Sequence, residues 1–196
     1  MTTIAIVYHS GYGHTAAQAA AVASGARALP GTAVELIRVE DVDKHWPALA
    51  AADAIVFGAP TYMGSASAPF KAFMDASSKA WAAGNSKDKI AAGFTNSASQ
   101  SGDKLNTLQQ LSIFAMQHGM VWVGLGLMPG NNSSKGSVDD LNRLGAFLGA
   151  MAQSNADQGP EHGPSKADLR TAEHLGRRVA EAACRWRVGE QAAKAA

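Results

Sequence analysis

Residues Thr3-Ile4-Ala5-Ile6-Val7-Tyr8-His9-Ser10-Gly11-Tyr12-Gly13-His14-Thr15 carry three structural signals in one run. Ile4 to Val7 are consecutive and small or β-branched, without the polar alternation of a half-exposed strand, so Thr3 to Tyr8 reads as a strand buried on both faces. Gly11 and Gly13 then let the backbone curl. Thr15 to Leu29 is Ala-rich without an internal proline, a helix that Pro30-Gly31 stops. A buried strand feeding directly into a helix is the opening of a βαβ unit, and a βαβ unit implies a parallel sheet.

The same alternation continues along the chain. Ala33 to Val39 is a second strand whose alternating pattern places it nearer an edge, and a short helix follows at Trp46 to Ala51. Asp53 to Gly58, Lys89 to Thr95 and Val121 to Leu125 are the third, fourth and fifth strands. Ala68 to Ala82, Asp103 to His118 and Ser165 to Val188 are helices, the last with Ser165 as N-cap. Gly189 to Ala196 reads as a frayed tail, which leaves one domain over residues 1–188. Five strands and five helices in this order fit a doubly wound five-stranded parallel sheet, order 2-1-3-4-5, with helices on both faces. Met128 to Gly163, rich in Gly, Asn, Ser and Pro, is an insertion with one helical candidate, Val138 to Gly149. Its length exceeds what a connection needs, so a role at a site or interface is expected.

Composition narrows the function classes. In 196 residues, 46% are hydrophobic and 17% charged, enough to bury a full core. A net charge of +1 without Lys/Arg clusters excludes nucleic acid and a membrane surface as the main partner. The lone Cys184 forms no internal disulfide and reads as a buried helical thiol rather than a nucleophile. His45, His162 and His174 are scattered without metal-ligand spacing. Met1-Thr2-Thr3 leads at once into a strand with no basic and apolar leader, and no run is long enough to span a bilayer; the expectation is a cytoplasmic protein.

In open α/β sheets a ligand binds beyond the carboxyl ends of the strands, where the strand order reverses. That rule selects the loops after the first, third and fourth strands. The first, Ser10-Gly11-Tyr12-Gly13-His14-Thr15, offers backbone N–H groups, two hydroxyls and a helix N-terminus, either a phosphate cradle or a tight strand-to-helix turn. It lacks the Gly-Lys-Ser/Thr of a P-loop and the third glycine of a dinucleotide fingerprint. The second, Pro60-Thr61-Tyr62-Met63-Gly64-Ser65, has a fixed exit from the strand and flat or polarizable apolar surface suited to an aromatic ring system. The third, Thr95-Asn96-Ser97-Ala98-Ser99 and onward to Gly102, is small and polar; it can serve a ligand's polar edge or cap the helix near Asp103.

Four stretches, Tyr8-His9-Ser10-Gly11-Tyr12-Gly13-His14, Asp53-Ala54-Ile55-Val56-Phe57-Gly58-Ala59-Pro60-Thr61, Trp81-Ala82-Ala83-Gly84 and His118-Gly119-Met120-Val121, resemble the flavodoxin-fold NAD(P)H:quinone oxidoreductases of the WrbA type. The Ser–x–Tyr–Gly–His element at Ser10 to His14 is the most diagnostic match; it differs from the Thr-rich phosphate loop of electron-carrier flavodoxins. The resemblance implies a flavodoxin-like fold and FMN, with phosphate on Ser10 to Thr15, ring against Pro60 to Ser65, and Thr95 to Ser99 along the flavin. It implies that Tyr62, Trp81 and His118 shape the substrate pocket, and that the protein is a homodimer or homotetramer whose neighbours contribute to each site. Two departures bear on this. Tyr62-Met63 stands where Arg before an aromatic is expected, and the connection after the second strand is shorter than in the close family.

The implied reaction is two-electron reduction of a quinone by NAD(P)H in a ping-pong cycle, with FMN supplying the redox chemistry. His118 is the candidate to hydrogen-bond to or protonate the quinone oxygen, its other reading being a helix-end cap. A flavodoxin-like electron carrier is the alternative, although such a carrier calls for an acidic rim that a nearly neutral chain does not suggest. A flavin-free receiver-type domain would need clustered Asp residues where Tyr8-His9-Ser10 stands.

Overall fold

The computed structural model describes residues 1–195. Thr2–Tyr8 (β1) leads through the first loop into His14–Arg27 (α1), and Thr32–Arg38 (β2) returns beside it. A 3₁₀ turn, Val39–Lys44, and Trp46–Ala51 (α2) precede the long Ala54–Tyr62 (β3), which folds back on Ser65–Ala66 (β4). Ala68–Ala76 (α3), Ser78–Ala82 (α4), Ile90–Ser97 (β5) and Lys104–Gln117 (α5) follow. Val121–Trp122 (β6), Ala150–Gln153 (β7) and Lys166–Ala195 (α6) complete the chain.

The sheet order is β2-β1-β3-β5-β6, all parallel, with β7 also pairing β5 and β4 antiparallel to β3. This is the expected 2-1-3-4-5 order with one change: the fifth position is shared. β6 pairs the start of β5 (Ile90↔Val121, Ala91↔Trp122), and β7 pairs its end (Phe94↔Ala150 to Ser97↔Gln153). The expected strand Val121 to Leu125 is therefore only its first two residues. Gly124-Leu125-Gly126 weakens the run, and the chain departs to return at residue 150.

Helices cover both faces. On one, α1 and α6 pack against Ile4, Ile6, Val56 and Phe94. Their axes meet closely because Gly25 and Gly176 face each other's helix; a Cβ at either would lie under 2 Å from a backbone carbonyl. The other face holds α2, α3 and α5 against Val7, Ile55 and Phe57, with a cluster of edge-on rings from Phe57, Phe70, Phe73 and Phe114. Edge-to-face pairs add about 0.5–1.5 kcal/mol each beyond the area they bury.

Three expected elements differ. The helix Ala68 to Ala82 breaks at Ser77, whose hydroxyl bonds back to the Met74 carbonyl at 2.7 Å and competes with the helical ladder. Val138 to Gly149 is not a helix. Asn142, with positive φ, spends its side chain on the Ala146 amide (2.8 Å) and carbonyl (2.9 Å), which imposes a local turn instead. Residues 189–195, read as a tail, continue α6; apart from Gly189 they are good helix formers. Ser165 does cap α6, accepting from the Asp168 amide at 3.2 Å, and Cys184 lies half-buried on it.

Candidate functional site

At the carboxyl ends of β1, β3 and β5 the three selected loops meet around one cleft of about 540 Å³, within the size range of small-molecule sites. Ser10, Tyr12, His14 and Thr15 line it from the first loop, Pro60 to Met63 from the second, and Asn96, Ser97 and Ala98 from the third. A fourth segment, Ser154, Asn155 and Ala156 just after β7, completes the wall. That segment lies inside the region read as an insertion. Ala150–Gln153 is too short and too weakly β-forming to announce itself as a strand, so the residues following it gave no positional signal.

The first loop is built around Ser10. Its Oγ accepts from the amides of Gly13 and Ala16, each at 3.1 Å, and so does the work of a helix N-cap from three residues upstream. Gly13 itself is left-handed at φ 89, and a Cβ there would meet the Pro160 ring at 2.7 Å. The amides of His14 and Thr15 and the Thr15 hydroxyl have no protein partner among the described residues. His14 Nε2 donates to the Gln158 carbonyl at 2.9 Å, tying this loop to the segment after β7.

The third strand runs on past its expected end at Gly58, so that Pro60, Thr61 and Tyr62 belong to β3 and Ser65 to β4, and only a hairpin tip remains of the second loop. Met63 and Gly64 both take positive φ between Tyr62 and Ser65, the geometry of a primed two-residue turn. Met63 stands wholly in solvent. Tyr62 folds back over Gly11, where a Cβ would come within 2.7 Å of its Oη, and meets Tyr12 edge-on at 6.2 Å. Burial, chiefly, and the neighbouring Tyr12 push the Tyr62 phenol above its ordinary pKa, so it stays protonated.

Six of the expected cofactor residues do not line the cleft but shape it. Gly11 and Gly13 set the first loop, and Gly64 accepts from Asn106 Nδ2 at 2.6 Å. Ser65 belongs to β4, and Ser99 lies behind the third loop with its carbonyl engaged. Thr95 is fully buried; its hydroxyl meets Thr61 Oγ1 at 2.8 Å, and Thr61 in turn meets Thr107 Oγ1 at 2.7 Å. Asn96 Oδ1 accepts from Ser154 Oγ at 3.0 Å.

His9, which sequence reasoning left unassigned, is buried below the first loop with Nδ1 2.8 Å from Ser67 Oγ; burial, its main influence, holds its pKa below the usual value.

Trp81 and His118 are elsewhere. His118 ends α5, level with the start of β5, about 20 Å along a 14-residue helix from the cleft. Ser77 Oγ donates to Met74, so His118 Nε2–H donates to Ser77 Oγ at 2.9 Å. Burial keeps this imidazole neutral to lower pH than usual. Trp81 Nε1 donates to the Gln117 carbonyl at 2.9 Å. Both line a shallow groove with Ile113 and Gln117, and His118 also faces an apolar cavity of about 320 Å³ with Trp46, Phe73 and Phe114.

Residues 8–133 match the family described as NADPH-dependent FMN reductase. The chain belongs to that family, among the flavodoxin-fold NAD(P)H:quinone oxidoreductases. Similar members include "Flavodoxin FldP" of Pseudomonas aeruginosa, 44% identical over 97% of this chain and 98% of that one. An "NAD(P)H dehydrogenase (quinone)" of Geobacter sulfurreducens is 35% identical over 93% and 98% respectively. Among solved structures, a "flavodoxin, WrbA-like protein" from Agrobacterium tumefaciens superposes with a TM-score of 0.74 at 43% identity, covering 94% of this chain and 99% of that one.

For a member of this family the ligand to test against the cleft is FMN, and the donor set fits it. One end offers unclaimed amides at a helix N-terminus for a phosphate, although no Lys or Arg lines the cleft. The middle offers Pro60 and Tyr62 for a planar ring, and the far wall offers the small polar loop at Asn96 to Ala98. No helix among the described residues is long and apolar enough to cross a membrane.

Proposed function

We propose that the protein is an FMN-dependent oxidoreductase that reduces quinone-like acceptors by two electrons at the expense of NAD(P)H. The observation that carries this reading is the convergence of four segments on one cleft with a donor-rich end and an aromatic mouth. FMN, when bound, supplies hydride acceptance from a nicotinamide and two-electron delivery to a quinone. Ser10, Thr15 and the first-turn amides of α1 hold the phosphate, with the helix dipole replacing a basic side chain. Pro60 and Tyr62 would orient the ring, and the amide of Ala98 would take its polar edge. Tyr12, Tyr62 and the exposed Met63 flank the mouth, where they would meet a nicotinamide or a quinone. NAD(P)H as reductant suits a cytoplasmic setting.

His118 and Trp81 join a cleft only across an interface, since their own lies at the other end of α5. The exposed Trp81, Ile113 and Met116 suit such a contact in a homodimer or homotetramer. His118 then presents Nδ1, the lone-pair nitrogen left when Nε2 donates to Ser77, to a neighbour's cleft, where it can accept a hydrogen bond from the hydroxyl of a reduced acceptor.

A second reading, an electron carrier, is favoured by the relative named a flavodoxin. The cleft lining contains no Asp or Glu, which weighs against docking through an acidic rim. The separating experiment is NADH and NADPH oxidation with benzoquinone, with and without added FMN. Turnover that depends on FMN, with parallel steady-state lines, supports the enzyme. Bound FMN without turnover supports the carrier, and failure to bind FMN sinks both.

A further inference from the structure

Lys104 opens α5 and is fully buried, a rare place for a lysine. Its ammonium donates to Ser97 Oγ at 2.8 Å and to the Ser99 carbonyl at 2.6 Å, and Ser97 Oγ donates to that same carbonyl at 3.0 Å. Gly102, at φ +54, lets the chain wrap this closely, because a Cβ there would lie 2.3 Å from Ser97 Oγ. The neighbouring carbonyls are fastened too: Ser97 by the Ser154 amide at 3.2 Å and Ala98 by Gln153 Nε2 at 2.9 Å. Three successive carbonyls of the third loop are thus engaged by protein donors. The amides of Ala98 and Ser99 have no protein partner among the described residues, and Ser97 and Ala98 line the cleft.

We propose that Lys104 is a positioning residue of the cofactor site: it holds residues 97–99 so that the amides of Ala98 and Ser99 stay unclaimed, and its charge behind the cleft wall makes the cleft favour reduced, anionic flavin over oxidised flavin. The proposal rests on the reading of this cleft as the FMN site and adds how the site's redox balance is set. A cation within a few ångströms of the wall acts through a poorly screened interior, where charge interactions exceed those in water several-fold.

The groups facing Lys104 are few. Asp168 on α6 attracts it and Arg143 from the insertion repels it, but Asp168 is already gripped by Arg143. Asp103, its chain neighbour, is exposed. Lys104 therefore has no carboxylate of its own. Burial, the largest influence, brings its pKa down to about 8. The charge is present below that pH and lost above it, so the preference for reduced flavin declines as pH rises through about 8.

The test is titration of FMN binding in both oxidation states from pH 7 to 9, with wild-type protein and Lys104→Gln. Glutamine keeps a donor for Ser97 and Ser99 but carries no charge. At pH 7 the variant is expected to bind oxidised FMN within about threefold of wild type. Its ratio of reduced to oxidised affinity should fall about tenfold, equivalent to roughly 30 mV for a two-electron couple. The gap should close above pH 8. An unchanged ratio with the same pH profile in both proteins would mean that Lys104 only braces the loop, and the proposal fails. If the Gln variant does not fold, Lys104→Met, close in stem volume, takes its place. Wild-type protein that binds FMN in neither state overturns the cofactor reading and this proposal together, whereas FMN binding with no difference between proteins overturns this proposal alone.

Discussion

Arg143 grips Asp168 through two parallel hydrogen bonds, Nε to Oδ1 at 2.8 Å and Nη2 to Oδ2 at 2.7 Å, with the Asp168 side chain only 2% exposed. Asp168 Oδ2 also accepts from the Gln153 amide at 3.0 Å, so one carboxylate joins the insertion, β7 and α6. Removing one partner of a buried pair strands the other charge, at a cost of about 3–5 kcal/mol. Arg143→Ala is expected to lose that much in urea unfolding. The joint replacement Arg143→Met with Asp168→Leu should recover most of it, and a loss under about 1 kcal/mol in the single variant would refute the pair's role.

Ser10 offers a test of opposite signs. Ser10→Ala should cost the flavin-free protein about 1 kcal/mol through the lost cap and weaken FMN binding. Ser10→Asp should instead stabilise the flavin-free protein by about 0.3–1 kcal/mol through the helix dipole, yet repel a phosphate and weaken FMN at least tenfold. Thermal unfolding alongside FMN titration reads both; tighter FMN binding by the Asp variant would remove the phosphate from this loop.

Gly13→Ala places a Cβ against Pro160 in a left-handed backbone. The expected loss is about 1–3 kcal/mol, accompanied by faster hydrogen exchange around Gln158 as the bond from His14 loosens. Exchange unchanged there would separate the two loops.

His9 and His118 both have pKa values lowered, mainly by burial. The unfolded chain then takes up protons near pH 6.5 before the folded chain does. Their contribution is complete above that pH and declines as pH falls through it. Urea midpoints should drop from pH 7 to 5, and His9→Gln with His118→Gln should flatten that slope; an equal slope in the double variant would assign the decline to other groups.

The order of the sheet, its two-faced covering and the three loops that meet at the cleft were legible because each rests on local pattern: an unbroken run from Ile4 to Val7, glycines at 11 and 13, Pro60 ahead of the turn at Met63-Gly64. What stayed hidden was set by partners far along the chain. Thr95 reads as a polar loop residue until Thr61 claims its hydroxyl, and Lys104 reads as an ordinary first-turn helix residue until Ser97 and Ser99 surround it. Ala150 to Gln153 becomes a strand only because the end of β5 is left unpaired by the early departure of β6. Such choices arise from packing, which neither periodicity nor composition records.

The divided fifth position also dictates an order of assembly. Until residues 150–156 have been synthesised, the far half of β5 presents a bare strand edge, the surface through which nascent chains most readily pair with one another. The cleft lacks a wall for the same interval. Residues 150–156 must therefore have left the ribosome before the cleft has all its walls, and a chain halted earlier keeps that edge open to its neighbours.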